Sequence, residues 1–229
     1  MKKLYVVLPA FNESQVIREV LLDLKKELVK ISSYQCQIVV IDDGSTDETA
    51  LKAKKAGVVV LRHLLNRGLG GALGTGLAYA KRRGADILIT MDSDGQHDPA
   101  DISRIIQPIL QKKTDIVIGS RMLKQKEMPL DRLFISWMGS IVTFLLFRVW
   151  TSDSQSGFRA FNRKAIDLIE IKTREMEVSS EIFGEIKQKN LRFIEKPIQV
   201  IYTGYSRHKG QSNLNSLRVV LKLILRLFR

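Results

Sequence analysis

The chain has 229 residues, 45% of them hydrophobic and 27% charged, and carries a net charge of +13. That length suits one sizeable domain and is short for two, and the composition excludes wholesale disorder. One cysteine, Cys36, and three scattered histidines exclude a disulfide framework, a cysteine-based zinc or iron–sulfur site and a His-cluster metal centre.

The N-terminal half alternates between two periodicities. Leu4–Leu8 is an apolar run stopped by Pro9, and the 12–30 stretch has helical spacing, with Val16, Val20, Leu21, Leu24 and Leu28 on one face. Strands are predicted at Gln37–Ile41, Val58–Leu61, Asp86–Met91 and Asp115–Gly119. Helices are predicted at Asp47–Gly57, Leu69–Gly84 and Pro99–Lys112, with Ser45 and Glu48 as a capping box before the first of these three. Alternating units of this size predict a mainly parallel sheet flanked by helices, with ligands beyond the carboxyl ends of its strands. Polar clusters stand at those ends: Asn12 and Glu13, Asp42 and Asp43, Asp92 and Asp94, Ser120 and Arg121.

Asp92-Ser93-Asp94-Gly95-Gln96 allows two readings. Alternate side chains at a strand end face one side, so Asp92, Asp94 and Gln96 suit a hard divalent ion, Mg²⁺ or Mn²⁺, that also takes phosphate oxygens. The same carboxylates suit a turn and a helix cap. His97 is a further candidate ligand, weaker than these three. Asp42 and Asp43 can accept from a base or ribose, or form a turn. The glycine-rich stretch 66–76 fits neither the dinucleotide nor the P-loop pattern; its glycines suit close packing or a backbone approach to phosphate.

The charge is uneven. Residues 1–120 hold 17 Lys/Arg and 14 Asp/Glu, residues 121–229 hold 20 and 10, and no acidic residue follows Glu195. The second half therefore favours an anionic partner: a phosphorylated substrate, an acidic membrane surface or nucleic acid. Against nucleic acid stand the 7% aromatic content and the lack of any recognised binding motif. Leu133–Phe147 is uncharged but short of a membrane span, which needs about 20 residues. It reads as a buried or interfacial helix with Trp137 and Trp150 as candidate interface anchors. Residues 214–229 place Arg218, Lys222, Arg226 and Arg229 on one stripe among apolar residues, which suits a helix lying on an anionic membrane. Only Leu4–Pro9 separates Lys3 from the polar region at Asn12, too little for a secretory apolar core, and the expected setting is cytoplasmic, at the inner membrane face.

Taken in order, Pro9-Ala10-Phe11-Asn12-Glu13, Asp42-Asp43-Gly44-Ser45, Asn66-Arg67-Gly68 and Asp92-Ser93-Asp94-Gly95-Gln96-His97 resemble the family 2 glycosyltransferases with the GT-A fold. Gly119-Ser120-Arg121, Arg132 with Ser136, the 153–159 run DSQSGFR and the 207–212 run RHKGQS resemble its polyprenyl-phosphate (dolichol-phosphate) mannose or glucose synthase branch. The resemblance implies a GT-A domain over residues 1–213, with a nucleotide-sugar part at 1–120 and an acceptor part at 121–213, followed by the 214–229 helix. It implies that Pro9, Phe11, Glu13, Asp42 and Asp43 hold the nucleoside, and that Asp92, Ser93 and Asp94 face the donor. Asp92, Asp94 and Gln96 would hold Mg²⁺ or Mn²⁺ on the diphosphate, over which Arg207 and Lys209 would close. Arg121, Arg132 and Ser136 would take the acceptor phosphate, and Asp153, Gln155, Gly157 and Phe158 would form an acceptor loop. Asp92, Asp94 and Arg121 are then the catalytic set, and Glu181 a further acceptor-side candidate. The implied reaction moves a hexose from GDP-mannose or UDP-glucose to a polyprenyl or dolichyl phosphate with inversion. A family 2 transferase with a non-lipid acceptor is the alternative. Two positions depart from the pattern: Phe11 stands where tyrosine is common, and Asn213 where lysine is common.

Overall fold

The computed structural model describes residues 1–124 and 130–201; for Lys124 and residues 130–132, 134 and 135 the backbone alone is described. Strand β1 (Lys2–Ala10) is the sheet's axis. Its middle is buried on both faces, as the unbroken run Leu4–Leu8 requires. It pairs in parallel with β2 (Tyr34–Asp42) and β4 (Ile87–Thr90), and β2 pairs in parallel with β3 (Val59–Arg62). Beyond β4 lie β6 (Arg159–Asn162), β5 (Ile116–Ser120) and β7 (Phe193–Pro197), giving seven strands in the order 3-2-1-4-6-5-7. Strand β6 alone is antiparallel to its neighbours.

Alternation along β1 sorts the core into two layers. Leu4, Val6 and Leu8 pack with α1 (Ile17–Val29) and α4 (Ile102–Leu110). Tyr5 and Val7 pack with α3 (Gly68–Arg82), α6 (Arg163–Leu168) and α7 (Val178–Gln188) on the opposite face. Helix α2 (Thr49–Lys55) adds Ala53 to the first layer. Helix α5 (Leu130–Phe147) packs on α7, where the hydroxyls of Thr143 and Ser180 meet at 3.0 Å.

The five strands and four helices expected from periodicity are present, with three differences. The first helix begins at Ile17 rather than Asn12, because Asn12 is left-handed (φ 54°) and the Glu13 carbonyl accepts from the N–H groups of Val16 and Ile17. The Ser45–Glu48 capping box does not form: Glu48 precedes α2 without a side-chain cap, and Ser45 Oγ accepts instead from the Asn12 N–H at 2.9 Å. Strands β6 and β7 are additions. The acceptor-side segment is therefore threaded into the sheet, and Arg159 is its first strand residue. Among the described residues no helix is long and apolar enough to cross a membrane. The 214–229 helix and the boundary at 213 lie outside them.

Candidate active site

The strand order reverses direction between β1 and β4, and the crevice opens there. Ser93 Oγ donates to the Pro9 carbonyl at 2.7 Å, tying the ends of these two strands together. Across the first half of the sheet the motif loops interlock. Asn12 Oδ1 accepts from the Thr46 N–H at 2.9 Å, and the Glu13 N–H donates to Thr49 Oγ1 at 2.8 Å. Gly44 permits the close passage of the Leu65–Asn66 backbone, since a Cβ there would stand 2.8 Å from Asn66 N. Phe11 is exposed at the rim and Glu13 is buried.

Asp42 and Asp43 are both shut off from solvent. Asp42 Oδ2 is ion-paired with Arg62 Nε at 3.0 Å. Asp43 Oδ1 meets His63 Nδ1 at 2.6 Å and accepts from the Arg67 N–H at 2.9 Å, while His63 Nε2 meets Thr75 Oγ1 at 2.9 Å. As placed, the two carboxylates order the loop after β3. Arg62 and His63 were not legible as site residues. The signal was their position: parallel register sets Arg62 beside Asp42 at two neighbouring strand ends.

At the end of β4, Asp92 keeps 39% of its side chain exposed. Burial at its base pushes its carboxyl above the ordinary range; Asp94 adds to this, while His97, Arg121 and Arg159 oppose it. His97 is buried, its Nδ1 accepting from the Asp92 N–H at 3.2 Å and its ring 5.2 Å from that of Phe158. Its Nε2 lies 3.7 Å from Asp92 Oδ2, so the ring both shapes the loop and borders that carboxylate. Asp94 accepts from the Gln96 backbone N–H at 3.0 Å and from the Gln96 amide.

At the end of β5, Arg121 is clamped by Asp153. Its Nε and Nη2 each donate to the carboxylate at 2.7 Å, and its backbone N–H donates at 3.0 Å. The carboxylate is fully buried, while 25% of the arginine side chain is exposed, so the pair turns its cationic side outward. Burial raises the Asp153 pKa, but Arg121's charge and hydrogen bonds and the Ser136 hydroxyl outweigh it and hold the carboxyl below its ordinary value. Ser136 Oγ donates to Asp153 Oδ1 at 3.2 Å, which spends its proton on orienting Asp153. The side chain of Arg132, and Arg207, Lys209 and Asn213, lie outside the described residues.

Within the acceptor loop, Gln155 and Gly157 line a small cavity beside Asp92, and Phe158 is buried against His97. Glu181 is not part of this wall: its carboxylate accepts from the N–H groups of Lys172 and Thr173 and from the Thr173 hydroxyl. Arg159, quoted in the motif but not expected in the site, forms part of the cavity wall.

Residues 5–169 match the family model described as glycosyl transferase family 2. An uncharacterised protein of Methanocaldococcus jannaschii is 43% identical over 97% of this chain and 91% of its own. The UDP-N-acetylglucosamine–dolichyl-phosphate N-acetylglucosaminyltransferase of Methanococcus voltae is 34% identical over 98% of this chain and 96% of its own. Glucosyl-3-phosphoglycerate synthase from Mycobacterium tuberculosis, solved with Mn²⁺, UDP-glucose and phosphoglyceric acid, shares the fold: its TM-score is 0.66 at 18% identity, over 97% of this chain and 79% of that one. The sheet, the strand-end motifs and these matches lead to one assignment: the chain belongs to glycosyl transferase family 2 and has the GT-A fold.

Proposed function

We propose that this glycosyltransferase moves a hexose-type sugar from a nucleoside-diphosphate donor to a polyprenyl or dolichyl phosphate at a membrane surface, with inversion. The observation that carries the reading is the pairing of two strand ends: an acidic pair, Asp92 and Asp94, at the end of β4, and a guanidinium fixed by a buried carboxylate, Arg121 on Asp153, at the end of β5. One end suits a cation-bound diphosphate and the other an anionic acceptor. The M. voltae relative, by its name, uses a dolichyl phosphate acceptor.

The residues present fit Mg²⁺ or Mn²⁺. Among the described residues no three His, Cys, Asp or Glu side chains form a complete cage. Two half-exposed carboxylates two residues apart at one strand end suit a hard ion whose remaining ligands are phosphate oxygens and water. Asp92 and Asp94 would hold it, with Gln96 fixing Asp94; when bound, the ion would supply charge neutralisation on the leaving diphosphate. Mn²⁺ in the mycobacterial structure supports this choice.

A phosphate monoester is ionised at neutral pH, so its oxygen attacks the anomeric carbon without a strong base. The new C–O bond forms to the lipid phosphate as the bond to the diphosphate oxygen breaks, and the configuration inverts. Arg121 orients the acceptor phosphate, with Arg132 as its proposed companion. Pro9, Phe11 and Glu13 flank the nucleoside. Asp42 and Asp43 hold the loop beneath it through Arg62, His63 and the Arg67 N–H. The described chain ends at Ile201, whose N–H donates to the Gln96 carbonyl at 2.9 Å, which favours Arg207 and Lys209 as groups that close over the diphosphate. Trp137 and Trp150 stand 51% and 56% exposed near exposed Phe144 and Leu145, as a membrane-facing patch requires.

The test is transfer of label from GDP-mannose, UDP-glucose or UDP-N-acetylglucosamine, offered singly with Mg²⁺ or Mn²⁺ and a short polyprenyl phosphate in detergent. One donor should send label into the organic phase, with loss on chelation and in Asp94→Ala. A water-soluble labelled product would point to a non-lipid acceptor, and chelator-insensitive transfer would remove the ion.

A further inference from the structure

Glu195, on β7, is the last acidic residue of the chain, and one of its oxygens gathers three donors. Oε1 accepts from Thr151 Oγ1 at 2.6 Å, from the Ser152 N–H at 2.8 Å and from Ser152 Oγ at 3.0 Å. Each partner is a neutral donor, so this carboxylate serves a segment of chain and not a cation. That segment, between α5 and β6, has no regular structure, and side-chain hydrogen bonds therefore decide where its backbone lies.

The bonds run in one direction. Ser152 Oγ gives its proton to Glu195, so Ser120 Oγ, 2.7 Å away, is the donor of that pair. Ser120 Oγ in turn accepts from the Met122 N–H at 3.2 Å. Thr151 Oγ1, which donates to Glu195, accepts from the Asp153 N–H at 3.4 Å. Ser120 and Met122 bracket Arg121, and Asp153 is the carboxylate that clamps it. Both partners of the clamp are thus tied through hydroxyls to Glu195. Strand pairing makes the tie: parallel register sets Glu195 opposite Ile118, and alternation puts its side chain on the face that carries Ser120.

We propose that Glu195 is a positioning residue for the acceptor site: by holding Thr151 and Ser152 it fixes the Asp153 loop against the end of β5 and so aims the Arg121 guanidinium. A planar guanidinium recognises phosphate by orientation as well as charge, so a loosened loop weakens acceptor binding and spares the donor side. This rests on the proposed reading in one respect, that Arg121 takes the acceptor phosphate.

The first readout is the clamp itself. In protein labelled with ¹⁵N-arginine, the Arg121 Nε–H, 2.7 Å from Asp153, should exchange slowly with water, and Arg121→Lys identifies its signal by removing it. In Glu195→Ala that exchange should quicken about tenfold. Glu195→Gln keeps an accepting Oε1 and should bring it back to within about threefold of wild type. Asp115→Ala is the control. Asp115 accepts from the Arg192 N–H at 2.9 Å at the opposite end of β5 and β7, and its loss should lower the melting temperature without quickening the exchange.

The second readout is affinity by calorimetry, for a short polyprenyl phosphate in detergent and for UDP and GDP with Mn²⁺. Glu195→Ala should bind the polyprenyl phosphate about tenfold more weakly and the nucleotides within about twofold of wild type. If Glu195→Ala folds poorly, Ser152→Ala cuts the tie to Ser120, leaves the carboxylate in place and should quicken the exchange in the same way. No quickening in either variant, an equal quickening in Asp115→Ala, or no recovery in Glu195→Gln would overturn the inference. Quickened exchange with unchanged affinity for polyprenyl phosphate would overturn it too. Quickened exchange in a protein whose wild type does not bind polyprenyl phosphate would leave the positioning role standing and overturn the lipid acceptor instead.

Discussion

Gly157 lies against the Asp92 carboxylate so closely that a Cβ on it would stand 2.7 Å from Cγ and from Oδ2, and nearer still to Oδ1. Its φ is not in the left-handed region, so the glycine is there for room. The acceptor loop and the acidic strand end are thus in direct contact, and Asp92 cannot keep its position beside any larger residue. Gly157→Ala should displace a side chain that moves cheaply, leaving the melting temperature within a few degrees. Transfer should fall about 100-fold, the scale of an ångström-sized misplacement. Near-normal turnover would mean that the position of Asp92 is not critical.

Gly70 shows the opposite balance. It packs on the 173–174 backbone, where a Cβ would stand 2.9 Å from the carbonyl carbons of Thr173 and Arg174 and closer to the Thr173 oxygen. Here the obstacle is backbone and cannot swing away. Gly70→Ala should cost about 3 kcal/mol, lowering the melting temperature by about 6–12 °C. Denaturant melts check this, and an unchanged midpoint would show that the 173–174 segment yields.

The Arg121–Asp153 clamp carries a pH dependence. Asp153's folded pKa lies below the unfolded value near 3.8, so its stabilisation is complete above that value and is lost as pH falls through the folded pKa. Asp47, lowered to about 2, acts in the same direction; burial opposes the shift, and hydrogen bonds from Thr49 and Ser14 outweigh it. Stability should therefore decline from about pH 4 downward. Asp153→Asn should lose about 2 kcal/mol at pH 7, with the gap to wild type closing at low pH. A constant gap from pH 7 to pH 2 would argue that the loss is one of packing.

The exposed aromatic patch yields a prediction about location. Trp137→Ser with Trp150→Ser removes two rings that stand half out of the surface. Sedimentation with anionic vesicles should weaken several-fold, while the melting temperature and turnover of a detergent-dispersed acceptor stay near wild type. Unaltered vesicle binding would move the membrane contact elsewhere, to the basic 214–229 segment first.

Much of this arrangement was legible because its signals were long or repeated. The buried run Leu4–Leu8, the α1 stripe and the polar residues at four strand ends each state a period or a position. Strands β6 and β7, no shorter than β3 and β4, escaped because they lack the apolar runs those strands carry. The residues Arg-Ala-Phe-Asn carry no alternation to follow, and β7 is half-buried along its length and mixes charge with apolar residues. Site chemistry was legible at the level of residue type and not of partner. No pattern in the chain indicates that Asp153 faces Arg121 rather than a ligand, or that Asp43 serves His63. Those pairings depend on which strand ends become neighbours, and β6 decides that from the middle of the sheet.

Because β6 runs against its neighbours, its first residue, Arg159, sits opposite Thr90 at the end of β4 and Ile118 near the end of β5. Every other motif reaches the crevice by following a strand; the 151–158 loop reaches it by preceding one. A lineage that keeps Gly157 beside Asp92 could therefore lengthen or replace the rest of that loop, and the helix before it, without re-threading any β-to-α turn that carries a donor-side group. The reversal makes the two halves of the site separable for selection, and for an engineer. Grafting residues 121–158 from a relative with another acceptor is the exchange that this architecture invites.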